Sequence, residues 1–136
     1  MILVGENINM MSKTIGPALR ERNPEPIKTL AKAEAGAGVD YLDLNIGPAR
    51  KAGGELMAWL VNTVQEATDK NLSLDTINPE ATEAGLKACR RRALINSISL
   101  QPERLEGVLP MVKKYNADFI GLLWGVEGMP RDANER

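Results

Sequence analysis

The chain has 136 residues, of which 43% are hydrophobic and 26% are charged, a composition typical of one folded domain with an apolar core. Its 17 basic and 18 acidic side chains leave a net charge of −1, which gives no electrostatic basis for binding nucleic acid or an anionic membrane surface. One cysteine and no histidine exclude an intramolecular disulfide, a multi-thiolate metal site and histidine acid–base chemistry within these residues. Carboxylates, amides and hydroxyls are left to form any site.

The start of the chain predicts no targeting segment. Glu6 follows Met1 too closely for a signal peptide, and no apolar run approaches the roughly 20 residues of a membrane span. We therefore expect a cytoplasmic protein that binds neither membrane nor nucleic acid.

Strands and helices are predicted to alternate along the chain. Three helices are expected to start at a proline, in Asn23-Pro24, Asn78-Pro79 and Gln101-Pro102, because proline at the first helical position loses no hydrogen bond and asparagine is a good cap. The helical spacing of Leu56, Leu60 and Val64 predicts a fourth helix. Short apolar runs predict five strands, at 2–6, 39–45, 72–75, 93–97 and 117–124.

This order is typical of right-handed β–α–β units and a parallel sheet, in either an open doubly wound fold or a (β/α)₈ TIM barrel. The polar residues in the strands favour the barrel. Asp43 and Asn45 share one face of their strand, and Asp75 and Asn96 end the next two strands. Both faces of an open parallel sheet are covered by helices, whereas polar side chains at strand ends suit a barrel mouth.

Such barrels take roughly 250 residues, so residues 1–136 are expected to be the N-terminal portion of a single barrel domain, with about five of its eight strands and four of its helices. The rest of the barrel is expected to lie outside this chain. Because active sites form at the carboxyl ends of barrel strands, the polar residues there are candidates for a site. Their carboxylates and amides suit a flat, neutral heterocycle with an amide-like edge better than a phosphate or a metal.

Four motifs at these strand ends resemble a known family. In chain order they are Gly5-Glu6-Asn7-Ile8-Asn9, Asp43-Leu44-Asn45-Ile46-Gly47-Pro48, Ser73-Leu74-Asp75-Thr76 and Ile95-Asn96-Ser97. Their order and spacing resemble those of pterin-binding methyltransferases, in particular the methyltetrahydrofolate:corrinoid/iron–sulfur protein methyltransferases. The resemblance covers the whole chain, and four motifs on successive strands make it more specific than any one motif.

The resemblance implies a function and a set of site residues. The enzyme would transfer the N5 methyl group of methyltetrahydrofolate to the Co(I) corrinoid of a partner corrinoid iron–sulfur protein, in one-carbon metabolism or O-demethylation, with no metal bound by the chain itself. Asp75 and Asn96 would hydrogen-bond the pterin ring, and the residues around them would be Asn9, Asp43, Asn45 and Ser97. The residue that assists at N5 would come from later strands, so the resemblance assigns no catalytic residue to this chain. The family also suggests a homodimer.

Other interpretations stay open. The chain could belong to a dihydropteroate synthase-like or other pterin-binding barrel, or be a barrel fragment without catalysis. Any single strand-end aspartate or asparagine could instead cap a helix or stabilise a turn, as Asn9 could. Family members commonly carry arginine where this chain has Asn7, which leaves the role of that position undecided.

Overall fold

The computed structural model describes residues 1–48, 52–126 and 128–134. Within them, five strands alternate with helices. The strands are β1 (Val4–Asn9), β2 (Tyr41–Asn45), β3 (Asn71–Asp75), β4 (Leu94–Ser99) and β5 (Asp118–Leu122). The helices are α1 (Ile15–Glu21), α2 (Pro24–Gly36), α3 (Gly53–Gln65), α4 (Pro79–Ala88) and α5 (Pro102–Lys114).

The strands form one parallel sheet in the order β1-β2-β3-β4-β5. A doubly wound sheet reverses its strand order at a switch point, so that its helices cover both faces. Here every crossover advances by one strand in the same direction, and right-handed connections then place all the helices on one face. In agreement, α2 packs against α3, α3 against α4, and α4 against α5. The architecture is that of a partial (β/α)₈ barrel, as predicted.

The core lies between the sheet and this single layer of helices. Leu42 and Leu44 of β2 are fully buried and pair in register with Leu72 and Leu74 of β3. Complete burial of a leucine stabilises a fold by roughly 1.5–3 kcal/mol. The helices add Ile27, Ala31, Met57, Leu60, Val61, Val64, Ala81 and Val108. Alternation along β2 and β3 therefore leaves the other face of the sheet for polar residues.

Both predicted asparagine caps are confirmed. The side-chain oxygen of Asn23 accepts a hydrogen bond from Glu25 N at 3.3 Å, and that of Asn78 accepts from Glu80 N at 2.9 Å. The prolines that follow them open α2 and α4. Gln101 makes no side-chain cap, yet α5 still begins at Pro102. Among the described helices, none is long and apolar enough to cross a membrane.

Two predictions of secondary structure need correction. The described residues contain five helices rather than the four that were predicted. The additional helix, α1, has only seven residues and includes Gly16 and Pro17, so its periodicity is too short to detect. Strand β1 runs on to Asn9 and β4 to Ser99, beyond the predicted ends at 6 and 97. In both strands the register shifts, so that buried positions are three residues apart instead of two and the alternation is broken.

Candidate functional site

Four of the predicted site residues lie in one row across the sheet. Asn9 pairs in register with Asn45, Asn45 with Asp75, and Asp75 with Asn96. These positions fall at or near the carboxyl ends of β1 to β4. Because neighbouring strands are about 4.8 Å apart, residues in one register form a continuous polar row. The sheet thus brings together residues that are up to 87 positions apart in sequence, from Asn9 to Asn96.

Asp75 is held by its neighbour on β2. Asn45 Nδ2 donates to Asp75 Oδ2 at 2.5 Å, while Asn45 Oδ1 accepts from Gly47 N at 2.8 Å. Both ends of the Asn45 amide are therefore engaged, which fixes its orientation. Gly47 has a φ of +66°, a backbone conformation that favours glycine, so the turn holding Asn45 depends on this residue type.

Asp43 lies one level deeper, two residues before the end of β2. Its side chain is only 2% exposed, and its Oδ1 accepts from Ser73 Oγ at 2.6 Å and from Asn96 Nδ2 at 3.1 Å. Asp43 thereby connects β2, β3 and β4 and orients the amide of Asn96. Its position beneath the row makes it a buried support of the neighbouring side chains rather than an exposed group.

The carboxylates of the site lie in one another's field. Burial raises the pKa of Asp43 to about 6, against the opposing effect of its hydrogen bonds from Ser73 and Asn96, and the charges of Asp75 and Glu6 raise it further. A substantial fraction of Asp43 is therefore protonated in weakly acidic solution, a form that burial favours.

Asp75 has a raised pKa as well, mainly because of burial. The hydrogen bond from Asn45 opposes this shift, Glu6 adds to it, and the positive charge of Arg104 opposes it. Glu6, on β1, thus acts on both aspartates. Asp75 combines partial burial with hydrogen-bonding neighbours, as a carboxylate that binds a polar ligand requires.

Asn9 and Ser97 occupy the margins of the site. Asn9 Oδ1 accepts from Met11 N at 2.8 Å and so stabilises the turn after β1. Ser97 follows Asn96 through a cis peptide bond, within the irregular part of β4. Its backbone carbonyl oxygen accepts from Arg104 Nη2 at 2.6 Å. The structure therefore brings both residues to the predicted location, where each shows a backbone or turn contact.

Sequence reasoning missed Arg104, in the first turn of α5. Its guanidinium donates to the carbonyl oxygens of Ile77, after β3, and of Ser97, in β4. One signal could have revealed it: a positive charge in the first turn of a helix opposes the helix dipole, so an arginine there needs acceptors nearby.

A groove of about 930 Å³ runs beside β1 and adjoins the row at Asn9; Glu6, Asn7, Ile15 of α1 and residues of α2 also line it. Neither Asp75 nor Asn96 lines it. Within the described part of the chain, no group of three or more histidine, cysteine, aspartate or glutamate side chains could hold a metal ion.

Comparison with known proteins identifies the family of the chain. The model of one protein family, described as pterin binding enzyme, matches residues 8–135. The chain belongs to the pterin-binding enzyme family. A methylcorrinoid:tetrahydrofolate methyltransferase from Eubacterium limosum is 32% identical over 111 residues, which make up 82% of this chain and 41% of that protein. The chain thus spans less than half the length of this relative, and the family resemblance seen in the strand-end motifs is confirmed.

In this pterin-binding enzyme, Asn7 points to α2 instead of the row. Its backbone N and its Nδ2 donate to Glu34 Oε1 at 3.2 and 2.6 Å. Glu34 is 6% exposed, and its Oε2 has no hydrogen-bond partner among the described residues. Asn7 therefore supports the packing of β1 on α2, because its short side-chain amide reaches one of the two carboxylate oxygens of Glu34.

Proposed function

We propose that this chain is the N-terminal, pterin-binding portion of a single barrel enzyme that transfers a methyl group between N5 of tetrahydrofolate and a corrinoid protein. The observation that supports it best is the register that joins Asn45, Asp75 and Asn96 in one row at the strand ends. The name of the relative, methylcorrinoid:tetrahydrofolate methyltransferase, supplies the same two substrates.

The direction of transfer does not change what the site must do. The sequence resemblance implies transfer from methyltetrahydrofolate to Co(I), whereas the relative is named for transfer from a methylcorrinoid to tetrahydrofolate. Both directions pass through one transition state, with methyl, N5 and cobalt in line. The pair of substrates is therefore the same in both cases, and the direction of transfer depends on the supply of each substrate.

In this proposal Asp75 and Asn96 recognise the polar edge of the pterin. A carboxylate accepts two parallel N–H bonds from an amino group and a ring nitrogen, and an amide both donates and accepts. Asn45 would hold the Asp75 carboxylate, and Asp43 would hold the Asn96 amide, through the bonds described above. The ring would thus bind to groups already oriented before it arrives, which lowers the entropic cost of binding.

Other parts of the reaction are assigned to groups outside this chain. The corrinoid is a substrate carried by a partner protein that would approach the strand ends, and the group that stabilises charge at N5 would come from later strands of the barrel. A homodimer stays a prediction of the family resemblance, and a cytoplasmic location stays a prediction from the sequence. Analytical ultracentrifugation tests the first, and fractionation of the source cells tests the second.

Titration of tetrahydrofolate into the chain and its Asp75 variants tests the proposal. Loss of a hydrogen bond to a charged group costs about 1.5–3 kcal/mol, so Asp75→Ala should weaken binding by roughly 10- to 100-fold. Asp75→Asn keeps the shape of the side chain and removes its charge, so its affinity should lie between those of the unmodified chain and Asp75→Ala. Asp69→Ala is the matched control, since Asp69 is an exposed aspartate in the loop before β3. Equal affinities for the Asp75→Ala and Asp69→Ala proteins, or no saturable binding by the unmodified chain, would refute the proposal.

A further inference from the structure

Arg104 connects the two loops that follow the central strands of the row. Its Nη1 donates to the carbonyl oxygen of Ile77 at 3.0 Å, and its Nη2 donates to that of Ser97 at 2.6 Å, with Thr76 O at 3.5 Å from the same nitrogen. Thr76 and Ile77 directly follow Asp75, and Ser97 directly follows Asn96. One guanidinium therefore bridges the backbone next to both proposed pterin ligands.

The location of Arg104 is unfavourable unless these contacts compensate for it. The arginine lies in the first turn of α5, where the positive end of the helix dipole repels it. Partial burial lowers its pKa, while the nearby charge of Asp75 acts in the opposite sense. Within the described residues its hydrogen bonds go to carbonyl oxygens, and it forms no ion pair within 4.0 Å. A partly buried cation held by backbone carbonyls is well placed to fix backbone position.

We propose that Arg104 is a positioning residue of the pterin site: its guanidinium ties the loop after β3 to the Asn96–Ser97 backbone, sets the spacing of Asp75 and Asn96, and supplies positive charge beside Asp75. This inference rests on the proposed function, because it assumes that these two residues bind one ligand. Arginine suits the role since its planar fork donates in two directions at once, which a lysine ammonium cannot do with the same rigidity.

The two contributions of Arg104 can be separated by substitution. Arg104→Lys keeps a positive charge near Asp75 but loses the fork, so it should weaken tetrahydrofolate binding by about tenfold without moving the pH at which binding is lost. Arg104→Gln loses both, so it should also shift that pH upward. The sign follows from the groups facing Asp75: Glu6 from β1 opposes its ionisation, whereas the hydrogen bond from Asn45 of β2 and the charge of Arg104 from α5 favour it.

The experiment titrates tetrahydrofolate from pH 5 to 8 into the unmodified chain, Arg104→Lys, Arg104→Gln and the control Arg92→Gln. Arg92 forms an ion pair with Asp118 at 2.6 Å at the amino end of β5, away from the carboxyl ends of the strands where the row lies. Its loss should leave both the affinity and the pH profile unchanged. Weaker binding in both Arg104 variants, with an upward pH shift only in Arg104→Gln, supports the inference. A structural defect alone would lower affinity equally at every pH.

The outcomes separate this inference from the proposed function. If the unmodified chain binds tetrahydrofolate and Asp75→Ala weakens binding, but Arg104→Gln behaves like Arg92→Gln, then Arg104 has no positioning role and the proposed function stands. If both Arg104 variants lose affinity with the same pH profile, the electrostatic part is wrong. If the unmodified chain does not bind, the proposed function fails, and Arg104 loses its role in a pterin site with it.

Discussion

Asn45 and Asp75 lie opposite each other on neighbouring parallel strands, and the amide of Asn45 donates to the carboxylate of Asp75 at 2.5 Å. Asn45 is itself held by the backbone N–H of Gly47. The carboxylate is thus oriented by a side chain that a turn has already fixed. These contacts make Asp75, the proposed pterin-binding carboxylate, rigid before any pterin binds.

Asn45→Ala should therefore weaken tetrahydrofolate binding although Asn45 need not touch the ring. The carboxylate of Asp75 would lose the hydrogen bond that lowers its pKa, so more of it would be protonated and its orientation would be less defined. We expect about tenfold weaker affinity at pH 7 and a larger loss at lower pH, as isothermal titration calorimetry can measure. Asn62→Ala, on the exposed side of α3, is the control. Identical pH profiles for these two variants would argue against the role assigned to Asn45.

Asp43 predicts a pH dependence of stability. Burial raises its pKa in the folded chain to about 6, above the ordinary aspartate pKa of 3.8. A raised carboxyl pKa stabilises the fold below the unfolded value, and that stabilisation is lost as pH rises through the folded value. Between about pH 4 and pH 6.5 the contribution of this group to the free energy of unfolding should fall by up to roughly 3 kcal/mol.

Asp43→Asn removes this titration while its side-chain oxygen can still accept from Ser73 and Asn96. Urea unfolding of both proteins at several pH values measures the effect, because groups that do not interact with Asp43 contribute equally and cancel in the difference. The variant should gain stability relative to the unmodified chain as pH rises from 4 to 7. A difference that stays constant over this range would show that Asp43 does not titrate as described.

Asn78 is expected to act on stability more than on the site. Its side-chain oxygen accepts from Glu80 N and Ala81 N at the start of α4. Asn78→Ala should lower the free energy of unfolding by about 1 kcal/mol, and Asn78→Asp should restore most of it, because aspartate caps a helix equally well. Urea unfolding measures both. A loss confined to tetrahydrofolate affinity, with unchanged stability, would instead place Asn78 in the site.

Gly85 is predicted to be required for packing of α4 against its neighbours. A Cβ there would lie 2.8 Å from Met57 Cγ and 2.9 Å from Leu74 Cδ1. Gly85→Ala should destabilise the chain by about 1 kcal/mol, since overpacking costs roughly 1–3 kcal/mol and the better helix propensity of alanine returns about 1 kcal/mol. Gly36→Ala, where a Cβ has no neighbour within 4 Å, should be neutral or slightly stabilising. Equal stabilities of the two variants by urea unfolding would contradict this explanation.

Much of the fold could be predicted because its signals are local. The prolines and asparagines that open α2 and α4 act within one helical turn, and the alternating leucines of β2 and β3 show which face is buried. The missed features are those in which local patterns break down. The extra residues in β1 and β4 disturb the alternation, and α1 is too short to show a period.

By itself, the sequence determined the type and order of the elements other than α1, the set of polar residues at the strand ends and their resemblance to pterin-binding enzymes. Each of these depends on residues close together in the chain, so the helix-capping residues and the period of the hydrophobic residues can be recognised directly. Only the tertiary structure decided the pairing of Asn45 with Asp75, the burial of Asp43 under Asn96, and the bridge from Arg104 to the β3 and β4 loops. These contacts depend on strand register and helix packing, which bring distant residues within hydrogen-bonding distance and which no local pattern specifies.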